Sequence, residues 1–554
     1  MVGAMSTPSA PHAAPKSSIR ETLISIIIAF AMAFVFRGFV IEAFLIPTGS
    51  MAPTLLGAHL RWQGRSTGYS WATDTRDQIN NEPLPVQGTR EALKVIDPMS
   101  GQAETASNVP TRWGDRIFVM KYLYSVYEPE RYDVVVFKNP TDPTQNFIKR
   151  LLGLPGEQVA LVDGDVFTRV PAPGEDDSVN PWLRPGWRVA RKPERAQRAM
   201  WQDVFTSERA PIGMSAFRPP WKAAPGSDPA GWKIGANTSY AYTGTGPTAL
   251  AWDWNARRIE DFYPYNDFRQ SPHQVRYPVS DIRMSLGLKP STADLRVSAV
   301  LVSRGHEFRC DIAGASVTLR MKRYGGPRPD PDSPGMIVEP PGEWVVLGTG
   351  TLPRALAPDA VTNLDFWHAD QCLTLFVDDV EVAHGEYEWG PNERITFACH
   401  TTAAQAVFEG PTALTGAAYS VPEVRWEFSG GPVTLFRVAL ARDIYYRPDV
   451  YPNPDPPRPR HSEQGRPARA THPSNTPVLS GAQYFMCGDN SPASLDGRLW
   501  DKPSPWVAHG VDDDAVGVVH RDLIIGKAFW VYFPSPARRQ GIPIPDFGRM
   551  RFIW

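Results

Sequence analysis

The sequence predicts a mainly β protein that carries one N-terminal transmembrane helix and whose first β domain is split by a large β-rich insertion. Three observations support this fold class: a single long apolar run near the N-terminus, alternating apolar and polar residues over much of the remainder, and an abundance of turn-forming residues. The chain has 554 residues, including 56 prolines and 18 tryptophans. Such a composition is typical of turn-rich β structure, and a chain of this length is expected to form several domains.

The charge balance and the cysteines exclude some functions. With 57 basic and 59 acidic residues, the chain lacks the basic excess of a nucleic-acid-binding protein, so no nucleic acid partner is expected. The cysteines follow no CxxC or zinc-ligand spacing, so no metal site and no cofactor are expected, and disulfide pairing stays open. The four cysteines are Cys310, Cys372, Cys399 and Cys487.

The N-terminal region is interpreted as a cytoplasmic tail over residues 1–20 and a transmembrane helix over residues 21–43. The apolar run from Leu23 to Ile41 would be about 28 Å long as a helix, close to the roughly 30 Å of a bilayer core. Lys16 and Arg20 precede it, which favours a cytoplasmic N-terminus and places the rest of the chain outside. A cleaved secretory signal is the alternative, but hydrophobicity continues where a cleavage region should turn polar.

A serine in a turn-rich segment follows the helix. Residues 46–56 read IPTGSMAPTLL, and their prolines and glycine place turns around Ser50. A serine hydroxyl needs a base within hydrogen-bond reach to act as a nucleophile, and the 11 histidines occur in no GxSxG or other familiar triad context. A neutral lysine can serve as the base instead.

The best candidate for that lysine lies in residues 145–157, which read QNFIKRLLGLPGE. On a strand, Phe147, Lys149 and Leu151 would share one face while Arg150 points to the other. Burial on an apolar face could lower a lysine pKa from about 10.4 by two or more units, which is roughly 3 kcal/mol. From this segment alone, a lysine on a solvated strand face remains the other interpretation.

Four segments in order resemble the conserved boxes of bacterial type I signal peptidases, which are serine proteases with a Ser/Lys dyad. They are PTGSMAPTL at 47–55, GDRIFVMKY at 114–122, NFIKRLLGLPGE at 146–157 and GDNSPASLDGR at 488–498. The resemblance implies a signal-peptidase-like β catalytic domain built from residues 44–170, with an irregular insertion at 61–111, and from residues 480–554.

The resemblance also implies roles for single residues. Ser50 would be the nucleophile and Lys149 the general base, which Ser494 would orient. The Thr48 hydroxyl and the Ser50 backbone N–H would form the oxyanion hole. The family often has serine at the position of Thr48; threonine keeps the donor, but its methyl group restricts the side chain.

Other positions match residues that support the site or bind substrate in the family. Asp489, Asp496 and Arg498 would brace the site through charge-assisted hydrogen bonds. Apolar pocket residues would admit only small side chains of the substrate; they are Phe44, Ile46, Leu55 and Ile148. Taken singly, the charged residues could equally be surface charges, and the apolar ones core residues.

The function implied is removal of N-terminal signal peptides from exported preproteins. The partners would be signal peptides and membrane lipid. The protein would sit in the bacterial inner membrane with its N-terminus cytoplasmic and its catalytic domain on the periplasmic side.

The remaining residues are predicted to form the insertion. Residues 171–275 are rich in tryptophan and proline, and residues 276–447 alternate as in a β-sandwich. Residues 364–382, LDFWHADQCLTLFVDDVEV, resemble a hairpin of laminin-G or concanavalin-like jelly rolls, so a glycan or protein partner is possible, as is a purely structural lid or spacer. Residues 448–479 are interpreted as a Pro-rich linker.

Two alternative functions remain. A self-cleaving repressor-type peptidase shares the Ser/Lys dyad, but a DNA-binding segment would be expected where the apolar run stands. The second alternative is a membrane-tethered glycan- or protein-binding module on a degenerate protease scaffold. Retention of Ser50, Lys149 and Ser494 argues against this alternative.

Overall fold

The structure is a computed structural model. It describes residues 19–75, 92–107, 109–176, 178–213, 217–228, 231–234, 239–267, 275–329, 336–451, 465–539 and 542–554. Nearly all of the predicted cytoplasmic tail, and residues 452–464 of the predicted linker, lie outside these residues.

The N-terminal apolar run is helical. An α-helix covers Ile19–Val35 and a π-helical turn continues it over Phe36–Val40. Within the described part of the chain, this is the one helix long and apolar enough to cross a membrane, judged by length and composition. The helix ends before residue 43, its predicted end, because Ile41–Leu45 pairs as a strand with Arg116–Met120.

A sheet of eight strands, here called sheet A, is assembled from both ends of the sequence. This arrangement confirms a β domain split by an insertion. In spatial order its strands are Ile41–Leu45, Arg116–Met120, Ile524–Phe533, Val134–Lys138, Asn146–Gly153, Gln483–Cys487 and Val519–His520, with Arg551–Phe552 pairing Ile524–Phe533.

The prediction that residues 61–111 are irregular is wrong. They contribute to a three-stranded sheet, Ser70–Asp74, His59–Gln63 and Thr111–Arg112, and to a hairpin, Leu93–Ile96 and Ala103–Ala106. A small core holds these strands together; it consists of Leu60, Trp62, Trp71, Leu93, Val95 and Val109. The strands are only two to five residues long, so they give little periodic signal in the sequence.

The β-sandwich is confirmed. Sheet B contains Trp232–Ile234, Tyr240–Tyr242, Val433–Arg442, Ile282–Pro290, Thr362–Ala369, Cys372–Val377 and Val380–Glu386, with Gln202–Thr206 pairing Val433–Arg442. Sheet C contains Trp221–Ala223, Thr248–Trp252, Glu423–Ser429, Arg296–Ser303, His306–Ala313, Ser316–Arg323 and Val345–Thr351. Apolar side chains of both sheets form one continuous core, as face-to-face sheet packing requires.

The sandwich begins before residue 276, where its boundary was predicted. Five short strands between residues 202 and 252 belong to sheets B and C. Trp221, Trp232 and Trp252 lie in the sandwich core. These three tryptophans are therefore core residues of the sandwich, and their dispersal among prolines hid the strand pattern. Trp182 and Trp187 lie in a separate core cluster.

A further three-stranded sheet follows sheet A in sequence, and a buried charge network connects it to the sandwich. The sheet contains Gln158–Val162, Asp165–Arg169 and Arg188–Val189. Arg304 of the sandwich donates to Asp163 at 2.6 Å and to Asp281 at 2.9 Å, and Arg394 donates to Asp163 at 3.1 Å. Because these charges are buried, separating the domains would leave the Asp163 carboxylate without its arginine partners at a high cost.

The remaining described elements are short. The helices are Leu123–Val126, Glu194–Met200, Pro391–Cys399, Ala403–Glu409 and Pro505–Val511, and the hairpins are Gly326–Pro329 with Met336–Glu339 and Ala537–Arg539 with Ile542–Ile544. All four cysteines are buried and free.

Candidate active site

Ser50 lies in a tight turn that the C-terminal part of the chain holds in place. The turn is a single 3-10 turn, Gly49–Met51. The Asn490 backbone N–H donates to the Ser50 carbonyl at 3.0 Å, and the Asn490 side-chain amide donates to the Gly49 carbonyl at 2.9 Å. Glycine is required at position 49 because a Cβ there would lie 2.1 Å from the Tyr265 ring. The turn is thus fixed on two sides.

Lys149 approaches the Ser50 hydroxyl from the strand Asn146–Gly153. Its Nζ lies 2.8 Å from Ser50 Oγ, although 99 residues separate the two in sequence. Only 3% of the Lys149 surface is exposed. Burial lowers the pKa of Lys149 to about 8, and the nearby Asp496 opposes this only in part. Near and above pH 8 a substantial fraction of this amine is neutral, and a neutral amine in contact with a serine hydroxyl can accept its proton.

Arg150, next to Lys149, points to the opposite face and pairs with Asp489. It donates to the two carboxylate oxygens at 2.7 and 2.6 Å, and both side chains are fully buried. Thr54, from the nucleophile segment, also donates to Asp489 at 2.6 Å. Asp489 therefore connects the strand of Lys149 to the segment that carries Ser50, through a bidentate and charge-assisted geometry.

Asp496 and Arg498 fix the loop that ends beside Lys149. Arg498 donates to both oxygens of Asp496, at 2.9 and 3.0 Å, and to the Ser491 hydroxyl at 2.8 Å. Asp496 also accepts the Gly488 N–H at 2.9 Å. Burial opposes the charge of Asp496, but Arg498 overcomes this and keeps the pKa of Asp496 below its ordinary value. The site thus retains a buried negative charge near Lys149.

Ser494 does not make the bond expected of it. Its hydroxyl is buried and has no hydrogen-bond partner, so it does not contact Lys149 as a donor or acceptor. The side chain packs instead against the backbone of Gly488, where a Cβ would lie 2.2 Å from Ser494 Oγ. Ser494 thus lies in the loop beside the site, and its role in orienting Lys149 stays a prediction.

The oxyanion and pocket candidates are placed around the same turn. Thr48 directly precedes the turn, is exposed, and forms no capping hydrogen bond through its side chain. The four predicted pocket residues belong to one apolar cluster. Ile46, Leu55 and Ile148 are buried in it, and Phe44 is partly buried against it. Sequence positions that are far apart are therefore brought together on one side of the nucleophile turn.

The insertion supplies residues that no local sequence pattern indicated. Asn266 and Asn490 exchange two side-chain hydrogen bonds of 2.7 and 2.8 Å. Tyr263 donates to the Asp489 carbonyl at 2.9 Å. Tyr265 packs on Gly49 and donates to the Ala58 carbonyl at 3.3 Å. Asn490 lies within the GDN segment identified from the sequence. Asn266 and the two tyrosines lie in no recognisable sequence motif, because their role depends on where the insertion packs.

The first comparison is with protein families. The model of the family "Signal peptidase, peptidase S26" matches residues 95–176, a stretch that contains Lys149 and begins after Ser50. Over these residues the chain is therefore similar to this family of peptidases.

The second comparison is with curated proteins. Signal peptidase I of Rickettsia typhi is 28% identical over 150 residues, covering 27% of this chain and 43% of the relative. Signal peptidase I of Rickettsia massiliae is 29% identical over 143 residues, covering 26% of this chain and 40% of the relative. Over these residues the chain is similar to type I signal peptidases, and the remainder of the chain includes a β-rich domain. The chain matches less than half the length of these relatives.

Solved structures were compared with the fold. The carbohydrate-binding module CBM66 from Bacillus subtilis is 7% identical and has a TM-score of 0.22, covering 40% of this chain and 94% of that chain. The galectin LEC-6 from Caenorhabditis elegans is 17% identical and has a TM-score of 0.16, covering 30% of this chain and 82% of that chain. These TM-scores are too low to support a functional comparison.

Proposed function

We propose that this protein is a membrane-anchored serine endopeptidase that removes N-terminal signal peptides from exported preproteins. The observation that carries the proposal is the 2.8 Å contact between Lys149 Nζ and Ser50 Oγ in a buried setting. Similarity to signal peptidase I over part of the chain supports the same reaction class.

The acylation step follows from this contact. Neutral Lys149 takes the proton of the Ser50 hydroxyl while Ser50 Oγ attacks the scissile carbonyl carbon. The bond to the leaving amine then breaks, and Lys149 returns the proton to that amine. The products are the released mature protein and an ester between Ser50 and the signal peptide.

Deacylation uses the same two residues. Lys149 takes a proton from water, and the resulting hydroxide attacks the ester carbonyl. The Ser50 oxygen leaves and recovers its proton from Lys149. In both steps the Ser50 backbone N–H and the Thr48 hydroxyl are the proposed donors to the oxyanion; a donor of this kind typically contributes about 3 kcal/mol to transition-state stabilisation.

Specificity is proposed to depend on the apolar cluster beside the turn. Phe44, Ile46, Leu55 and Ile148 would bound a shallow pocket that admits alanine, glycine or serine. Longer substrate side chains would overlap with these walls, and close-packed apolar surfaces yield little to such overlap.

The N-terminal helix is proposed to anchor the enzyme in the bacterial inner membrane, with its N-terminus cytoplasmic and sheet A outside. Strand Ile41–Leu45 follows the helix directly, so Ser50 would lie close to the outer membrane surface. A signal peptide that spans the membrane would present its cleavage site at that level.

The test is cleavage of a preprotein with an Ala-x-Ala site by the full chain in detergent. Ser50→Ala and Lys149→Ala should each abolish cleavage, while Ser66→Ala, which changes a serine outside the site, should cleave as the wild type does. N-terminal sequencing of the product identifies the bond that is cut. An active Ser50→Ala variant would refute the mechanism, and no cleavage by the wild type across several preproteins would refute the function.

A further inference from the structure

A cavity of about 480 Å³ lies between the nucleophile segment, the 57–112 region and the sandwich domain. Pro53 and Leu56 contribute from the nucleophile segment, Trp71 from the three-stranded sheet, and Tyr263 from the insertion. Its volume falls in the range of small-molecule sites, about 300–1,000 Å³, and such sites favour domain interfaces. It is separate from the Ser50 and Lys149 side chains, which do not line it.

The walls of this cavity carry an excess of positive charge. Seven arginines line it, against two carboxylates, Asp203 and Glu260. Four of the arginines have a carboxylate partner. Arg258 and Arg276 lie 3.9 and 2.9 Å from Glu260, Arg549 lies 3.0 Å from Asp115, and Arg61 pairs with Asp546.

Within the described part of the chain, the hydrogen bonds of the other three arginines go to neutral groups. Arg551 donates to the Thr54 carbonyl at 2.6 Å. Arg442 donates to the carbonyls of Asp443 and Phe262 at 2.7 and 2.9 Å, and its guanidinium lies 4.3 Å from the centre of the Tyr263 ring. Arg257 donates to the Met99 carbonyl at 2.9 Å and also contacts the Pro98 carbonyl.

A further negative charge beside these cations would be favourable. Arg257 is half-buried and Arg551 is exposed at the cavity wall. Desolvation lowers the pKa of Arg257, and Asp97 opposes this only in part. Desolvation, followed by the charge of Arg549, lowers the pKa of Arg551, and Asp115 opposes this only in part. An anion in the cavity would relieve both effects. Guanidinium groups bind phosphate through paired, charge-assisted hydrogen bonds, so a phosphate group matches the donors that this wall offers.

We infer that the cavity bounded by Arg257, Arg442 and Arg551 is a binding site for a small phosphorylated molecule. The phosphate contacts these arginines, and the remainder of the ligand packs on the aromatic wall around Trp71 and Tyr263. Two sources supply this chemistry: a soluble phosphate ester and the headgroup of an anionic phospholipid.

The test measures binding to the full-length protein in a neutral detergent, by isothermal titration calorimetry at constant ionic strength. The probes are inorganic pyrophosphate, glucose 6-phosphate and dioctanoyl phosphatidic acid, with glucose and dioctanoylglycerol as their uncharged counterparts. The variants are Arg551→Gln, Arg257→Gln and the double variant. Arg296→Gln is the matched control, because Arg296 is exposed on the sandwich and does not line the cavity.

Binding of a phosphorylated probe at one site, with Kd raised at least about tenfold by each cavity variant and unchanged by Arg296→Gln, supports the inference. Preference for glucose 6-phosphate or pyrophosphate identifies a soluble ligand, and preference for phosphatidic acid identifies a headgroup. No binding of any phosphorylated probe, equal binding of the uncharged counterparts, or full affinity in a folded double variant would overturn it. Since binding is measured without substrate, the result does not depend on peptidase activity.

Discussion

Replacement of Lys149 by methionine should stabilise the protein at neutral pH while it removes the proposed activity. Burial lowers the pKa of Lys149 from 10.5 in the unfolded chain to about 8 in the folded protein. The difference corresponds to roughly 3 kcal/mol, at about 1.4 kcal/mol per pKa unit. Below pH 8 folding must therefore either bury a charged amine or release its proton, and methionine of similar length avoids this cost.

The sign of the pH dependence follows from proton binding. Between pH 8 and 10.5 the unfolded chain holds a proton on Lys149 that the folded protein does not, so wild-type stability from this group rises with pH across that window. The Lys149→Met variant lacks this dependence. We expect its stability advantage to be largest below pH 8, up to roughly 3 kcal/mol, and to shrink steadily towards pH 10.5.

The assay compares thermal and denaturant unfolding of wild type and Lys149→Met at pH 7 and at pH 9.5. Lys138→Met is the matched control, because Lys138 lies on the neighbouring strand and is exposed. Its stability should not change with pH relative to the wild type. A folded Lys149→Met variant that is no more stable than wild type at pH 7 would show that burial does not penalise the lysine charge, and the reasoning would fail.

Three further predictions follow from the same contacts. The kcat/KM of the wild type should rise about tenfold per pH unit below pH 8 and level off above it, because Lys149 must be neutral to accept the Ser50 proton; a profile flat from pH 6 to 9 would contradict this. Asn266→Ala should lower kcat more than it raises KM, since it removes two hydrogen bonds to Asn490, whereas exposed Asn255→Ala should change neither. Arg150→Met should reduce the free energy of unfolding by about 3–5 kcal/mol, because it leaves the Asp489 charge buried and unpaired; urea unfolding measures this, and a loss below 1 kcal/mol would count against it.

The chemistry of the candidate site was accessible from the sequence because it is encoded in short segments. The segment around Ser50 and the one around Lys149 each have a local pattern, and strand periodicity alone placed Arg150 on the face opposite Lys149. The apolar helix was equally clear, since membrane spanning requires a long continuous run of apolar residues. The sequence also predicted the sandwich, because apolar and polar residues alternate along its strands of about eight residues.

Features that depend on docking between distant segments were decided only by the tertiary structure. The short strands before residue 276 carry too few residues for a periodic signal, and pairing with long strands of the sandwich determines their conformation. The bonds from Asn266 to Asn490, and the arginine cavity beside Tyr263, exist because the insertion packs on the nucleophile turn. Local sequence patterns cannot predict such contacts, because the contacts form between surfaces that meet only after folding.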